Sequence, residues 1–487
     1  MGALCLLCLS AFPAVSGLKH DFDLRHDPRH LIGPVGVPFG FLAYGEFYLT
    51  VHDFSLVSDS PKKDSLESGF WLQRFHSEAA FQHFLNELQA NETGCAFDYF
   101  RHAPENEIFN GMGDIRQAQP HGLFLSMKDK ATWKESSIHY SFKQGEAGLY
   151  FLLYQVCSSA GKVPRAMSNF HLDFDFINYD AYSKPSYLTA GEMHLPLLYL
   201  FSAISFTILA VLWRWNLQRI RKGLPPIIQT KEEQQAALSP GRPTIYAIHP
   251  IMGLLVWVKA LTVWAEAIRF HTIKVTGHAE GWSALYYTLY FCRGTLFFTV
   301  VLLIGTGWSF VKGIMQRKER LFIFFVIFLQ MLNQLALIVL SKETEGERSF
   351  GSWNAVLHLV DIICCCAVLL PIVWQVNTME ASLQSGEENN VSAVYRASVL
   401  GKLRLFRTFY LLVIAYIYAT RILVYLFAAA LDYHHLWVRY AVVELVTLVF
   451  YVTVGLLFRP RVEPSVALPD TDDEEGVALV QQSASVD

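Results

Sequence analysis

The rhythm of apolar and polar positions changes once along this chain, near Glu192. Before that point the dominant period is two. Phe170, Leu172, Phe174 and Phe176 alternate with His171, Asp173 and Asp175, which predicts a strand with one buried face. Phe41 to Val57 and Ser137 to Val156 read as further strands, the second broken by a turn near Gly145. One helix interrupts them, with Ser77 as its cap and Phe81, Phe84, Leu85 and Leu88 on one face. A β-sandwich with a helical insertion fits these signals. After Glu192 the alternation gives way to apolar runs about as long as the ~20 residues a bilayer crossing needs. Seven are expected: Leu195–Trp213, Ile245–Ala265, Ala284–Trp308, Leu321–Leu340, Val356–Val376, Thr408–Leu431 and Trp437–Leu457. The fold class that follows is a multi-pass α-helical membrane protein, with a seven-helix bundle behind an N-terminal β-sandwich domain.

The two ends and the loop charges set the orientation. An apolar run from Leu4 to Leu9, followed by Ala14 and Ser16, reads as a signal peptide over residues 1–16. Its apolar run is far shorter than a span, and it places residues 17–192 in the lumen. The loops after the first, third and fifth runs are rich in Lys and Arg, including Arg214, Arg219, Lys312, Lys318, Lys402 and Arg404. The opposite loops hold few, among them Arg269, Lys274 and Lys342, so the basic side is expected to be cytosolic. The bundle then occupies residues 193–458. Residues 459–487, with Asp470, Asp472 and Asp473, read as a disordered acidic cytosolic tail.

Composition supports a membrane protein. Of 487 residues 53% are hydrophobic and 17% are charged, against roughly 25% charged in an average soluble protein. The formal net charge is −4 and the 39 Lys and Arg form no basic stripe, which argues against a nucleic-acid partner. In an oxidising lumen Cys95 and Cys157 are expected to form a disulfide. Asn91-Glu92-Thr93 is the expected glycosylation site, whereas Asn390-Val391-Ser392 falls in a cytosolic loop and should stay bare. Glu475, Leu479 and Val480 after the acidic cluster resemble an acidic dileucine sorting signal with Val in the last position.

Ionisable side chains inside apolar runs are expensive and mark functional or pairing positions. Five stand out: Lys259, Arg293, Asp361, Arg421 and Glu444. At about 1.5 Å of rise per residue they fall in one layer of the lumenal leaflet, three cations and two anions. Internal pairing is one reading, Arg421 with Glu444 and Asp361 with Lys259 or Arg293. The other is a lumen-facing polar cavity with a surplus cation for an anionic ligand or lipid headgroup. No G-x-S-x-G, H-E-x-x-H or P-loop pattern occurs, and His358 with Asp361 lacks convergent metal ligands, so no enzyme, cofactor or metal is expected. Rhodopsin-type signatures are absent as well.

A set of short motifs carries a resemblance: Tyr187-Leu-Thr-Ala-Gly-Glu192, Glu280-Gly-Trp282, Ile304-Gly-Thr-Gly-Trp308, Leu359-Val-Asp361, Lys402-Leu-Arg-Leu-Phe-Arg407, Thr420-Arg421 and Phe458-Arg-Pro460. In this order they resemble the lung seven-transmembrane receptor family, also called GOLD-domain seven-transmembrane (GOST) proteins. The resemblance implies a lumenal GOLD-like domain, residence in Golgi and post-Golgi membranes, and a role in membrane trafficking, with the plasma membrane as another location. Membrane lipids, a lumenal cargo or ligand protein, and cytosolic coat, adaptor or G proteins are the partners it implies. An unconventional receptor signalling through G proteins is the alternative reading. An ion channel or lipid-binding chaperone is a second alternative.

Overall fold

The computed structural model describes residues 19–33, 38–58, 66–75, 80, 122–126, 132–158, 166–180, 182–227, 245–305, 317–342, 377 and 393–460. Among the described residues the N-terminal part holds ten strands: β1 (Lys19–Asp27), β2 (Leu31–Ile32), β3 (Phe39–Phe41), β4 (Glu46–Ser58), β5 (Leu66–Phe75), β6 (Gly122–Ser126), β7 (Thr132–Ser141), β8 (Gly148–Ser158), β9 (Ala166–Tyr179) and β10 (Pro185–Ser186). One five-stranded sheet runs β1-β9-β4-β7 with β10 added to β9. The other runs β2-β8-β5-β6 with β3 added to β8. The pairings are antiparallel.

The period-two pattern of β9 does what it predicts. Phe170, Leu172, Phe174 and Phe176 are buried while Asp173 is exposed. In register across the sheet Phe176 faces Phe47 and Leu172 faces Val51. Aromatic pairs then join the two sheets. Tyr154 of β8 and Phe170 of β9 have ring centroids 4.7 Å apart, and Phe70 of β5 meets Phe170 edge-on at 5.2 Å. One apolar core therefore serves both sheets. The turn expected near Gly145 lies between β7 and β8, and Gly145 takes φ +102°, which an L side chain rarely adopts.

The C-terminal part is helical: α1 (Leu195–Arg221), α2 (Ile248–Thr276), α3 (Glu280–Gly305), α4 (Arg317–Lys342), α5 (Ala393–Ala430) and α6 (Trp437–Leu457). Pro196 opens α1, where its missing N–H costs nothing. Gly277, at φ +82°, ends α2 by donating its N–H to Ile273 O. Helix α1 packs along α2, α2 along α3, α3 along α4, and α5 along α6, which also touches α1. Among the described residues four helical segments are long and apolar enough to cross a membrane: Ala190–Arg221, Ile248–Thr276, Gly281–Gly305 and Tyr433–Leu457.

Three expected boundaries are corrected by two helical turns or more. Helix α1 runs on to Arg221 and α2 to Thr276, and α5 begins at Ala393. Arg269 and Lys274, expected in a loop, are helical, as are Arg214, Arg219, Lys402 and Arg404. The reason is that a helix continues past the bilayer wherever its backbone bonds are satisfied, whereas an apolar-run criterion stops at the first charge. The signal peptide, the helix after Ser77, Asn91, Cys95, the run Val356–Val376 and the tail with Glu475, Leu479 and Val480 lie outside the described residues. Cys157 is buried at the end of β8.

Sheets and helices meet at one end of the bundle. Tyr187 donates its N–H to Lys274 O at 3.2 Å, and Gly40 donates to Thr189 Oγ1 at 2.8 Å. The 3-10 turn Ala190–Glu192 before α1 packs on the 3-10 turn Tyr433–His435 before α6. The contact is close enough that a Cβ on Gly191 would collide with Tyr433 O.

Candidate functional site

Polar residues repeat at helical spacing along the inner faces of α2, α3 and α6. On α2, Lys259, Thr262, Glu266 and Arg269 are buried. They sit at i, i+3, i+7 and i+10, one stripe of a helix. On α3 the stripe is Tyr286, Tyr290 and Arg293. On α6 it is Tyr440, Glu444, Thr447 and Tyr451. Lys259 and Glu444 bring the α2 and α6 stripes together inside the bundle.

The central contact is an ion pair. Lys259 Nζ donates to both Glu444 Oε1 and Oε2 at 2.8 Å, with the side chains 1% and 12% exposed. One reading of the sequence pairs Glu444 with Arg421; among the described side chains Glu444 meets Lys259. The backbone of Arg421 lies on α5, while its side chain and Asp361 lie outside the described residues. The pairing puts Lys259 and Glu444 at one level of the bundle.

Lys259, Arg293 and Arg269 also each lie over an aromatic face. Lys259 Nζ is 4.9 Å from the Phe206 ring centroid, and the Arg293 guanidinium is 4.7 Å from that of Tyr290. Arg269 sits 4.9 Å from Tyr286 and 5.2 Å from Tyr287. Arg269 also donates to Ser283 Oγ at 3.2 Å and Tyr287 OH at 3.3 Å. Ring quadrupoles supply the negative potential that water would otherwise give these cations.

Two members escaped the sequence reading. Glu266 is 4% exposed and falls one residue past the expected end of the second span, and Arg269 was assigned to a loop. The spacing of seven between Lys259 and Glu266, with Arg269 three further on, is the signal that finds them. The five described ionic groups comprise three cations and two carboxylates. Lys259 and Glu444 neutralise each other. Neither Arg293 nor Glu266 has an oppositely charged partner within 4.0 Å among the described residues. Glu266 has Glu444, Lys259, Arg293 and Arg269 as its charged neighbours.

Amide groups approach the same region from α4. Gln330 and Gln334 are buried, and the Oε1 atom of each lacks a hydrogen bond among the described residues. Gly294, next to Arg293, lets Gln334 come close, since a Cβ there would stand 2.5 Å from Gln334 Cδ. On the other side, toward the end away from the sheets, lies an apolar cavity of about 170 Å³ lined by Met252, Phe297, Phe409, Phe450 and Tyr451 among others. That end is fastened by His249, 0% exposed, whose Nε2 donates to Phe458 O at 3.0 Å while Trp213 Nε1 donates to His249 O at 3.1 Å.

A β-rich region clamped to membrane-length helices, with ionic groups among them, defines a multi-span membrane protein. The comparisons narrow this class. Residues 242–465 match the GOST seven transmembrane domain. The chain is 30% identical over 484 residues to the protein candidate G-protein coupled receptor 6 of Arabidopsis thaliana, covering 98% of this chain and 97% of that relative. The chain belongs to the GOST seven-transmembrane family.

Proposed function

We propose that this protein is a non-enzymatic membrane protein of the Golgi and post-Golgi system that assists the transport of cargo or membrane. In this reading residues 17–192 form a lumenal GOLD-like β-sandwich, held by a Cys95–Cys157 disulfide and glycosylated at Asn91, that recognises a lumenal protein. Residues 193–458 form a complete seven-helix bundle, and the cytosolic tail with Glu475, Leu479 and Val480 engages adaptors. The observation that carries the reading is Arg293, a cation inside the bundle with no carboxylate within 4.0 Å among the described residues. A buried charge without a partner is costly, and an anionic lipid headgroup entering a polar cavity would neutralise it. The sheets grip α1, α2 and the turn before α6, so recognition outside would be felt by the helices that carry the layer.

The test is to localise a tagged full-length copy with and without the residues from Asp470 onward. Steady Golgi or endosomal residence that depends on the tail, with missorted cargo on deletion of the gene, is the expected result. The printed name of the Arabidopsis relative favours a second reading, a receptor coupled to G proteins. Surface residence with ligand-dependent G-protein activation would establish that reading in place of transport.

A further inference from the structure

A groove of about 690 Å³ lies outside the ionic layer, between the sheets and the adjoining ends of α1 and α2. Its rim is polar: Asp180 and Lys184 from the loop joining β9 to β10, His194 just before α1, and His271 and Lys274 from α2. Its floor is apolar: Leu197 and Leu200 on α1, Trp264 and Ile268 on α2. The division follows the bundle axis. His194 meets Trp437, the first residue of α6, with ring centroids 5.7 Å apart, so the rim is level with the start of a membrane-length helix. Leu197 and Leu200 lie about 4–9 Å further in along α1. Hydrocarbon begins near that depth and headgroups fill the several ångströms above it.

The groove opens toward the exposed apolar face of α1. Leu197 (55% exposed) and Leu200 (36%) begin a stripe that continues through Phe201, Ile204 and Ile208 down the outside of α1. An acyl chain leaving the groove would run along this stripe. The rim chemistry suits the other end of the same molecule. Asp180 Oδ1 accepts the N–H groups of Tyr182 and Lys184 at 2.9 and 3.1 Å, and its Oδ2 has Lys274 Nζ at 3.7 Å. One carboxylate thus stands against two ammonium groups, and the rim carries a surplus positive charge with two imidazoles beside it. The loop tip adds Tyr182, 85% exposed, an aromatic of the kind enriched at headgroup level.

We infer that this groove is a binding site for an anionic glycerophospholipid of the leaflet next to the sheets, with the phosphate held by Lys184 and Lys274 and one acyl chain on Leu197 and Leu200. The site is separate from the ionic layer, and lipid bound there would tie the β9–β10 loop to both helices.

The experiment uses the full-length protein, delipidated in detergent and titrated with dioleoyl phosphatidylserine, with bound lipid counted by native mass spectrometry. The Lys184→Gln variant removes an exposed side chain and leaves folding intact; it should weaken retention about fivefold, and Lys184→Gln/Lys274→Gln further. Leu197→Trp, which fills the floor, should also reduce retention. Inorganic phosphate at the same concentration should not displace the lipid. A Lys259→Met/Glu444→Leu variant should retain it, which separates this site from a lipid in the ionic layer. Undiminished retention in the double lysine variant, or displacement by free phosphate, would overturn the inference.

Discussion

Lys259 and Glu444, 185 residues apart in sequence, form a two-pronged ion pair at 2.8 Å inside the helical bundle. The pair ties α2 to α6 at the level where Phe206 closes over the ammonium. It is the fixed point around which the remaining ionic groups are arranged.

Breaking that pair from one side should be costly. Lys259→Met strands Glu444, and Glu444→Leu strands Lys259; each should lower stability by about 3–5 kcal/mol, because an uncompensated charge remains buried. The double variant Lys259→Met/Glu444→Leu should recover most of the loss. Thermal unfolding of the three purified variants checks this, and additive losses would show that the two residues are not coupled.

Asn178 should be a keystone of the junction between strands and helices. It is 0% exposed, donates Nδ2 to Gly40 O at 2.9 Å and Leu188 O at 3.0 Å, and accepts from Leu42 N–H at 2.8 Å. Asn178→Ala leaves those three backbone groups without their partner and should cost about 3 kcal/mol or more. Urea unfolding followed by tryptophan fluorescence measures it.

Gly191 is required by close approach. Its neighbours are Tyr433 O and the Leu436 Cβ, neither of which is the loose end of a flexible side chain. Gly191→Ala should therefore push apart the turns before α1 and α6 and cost about 1–3 kcal/mol, with faster proteolysis at the junction as a second readout.

Acid should loosen the β9–β10 loop. The Lys184 N–H, with that of Tyr182 and the charge of Lys274, holds the Asp180 carboxyl below the ordinary carboxylate range. A depressed folded pKa means that the stabilisation is present above the unfolded value and is lost as pH falls through the folded one. Asp180→Asn should accordingly be less stable than the parent at pH 7, and the difference should shrink below pH ~4. A difference that persists unchanged at acid pH would show that the carboxylate charge plays no part.

The coarse fold was legible because its signals are local. A strand with one buried face must alternate, and β9 can be read from four aromatic and aliphatic residues in a row of seven. A helix in lipid must be apolar for about 20 residues, and α6 was found at its observed ends, Trp437–Leu457. The ionic layer was partly legible for the same reason, since a charge inside an apolar run announces itself. Glu266 and Arg269 were missed because the run appeared to end just before them.

Sequence by itself therefore determined the two-part architecture, the membrane class, and the presence of charges at depth, all consequences of solvent acting on neighbouring residues. Only the tertiary structure decided which charges meet. Lys259 chooses Glu444 because α2 and α6 bring them to one level, and Arg293 is left over a tyrosine ring instead of a carboxylate. The groove at the sheet end is likewise a product of assembly, made where a loop of the β-region closes on two helices that continue past the apolar runs. Pairing across long stretches of chain depends on helix length, rotation and depth together, and no local pattern encodes all three.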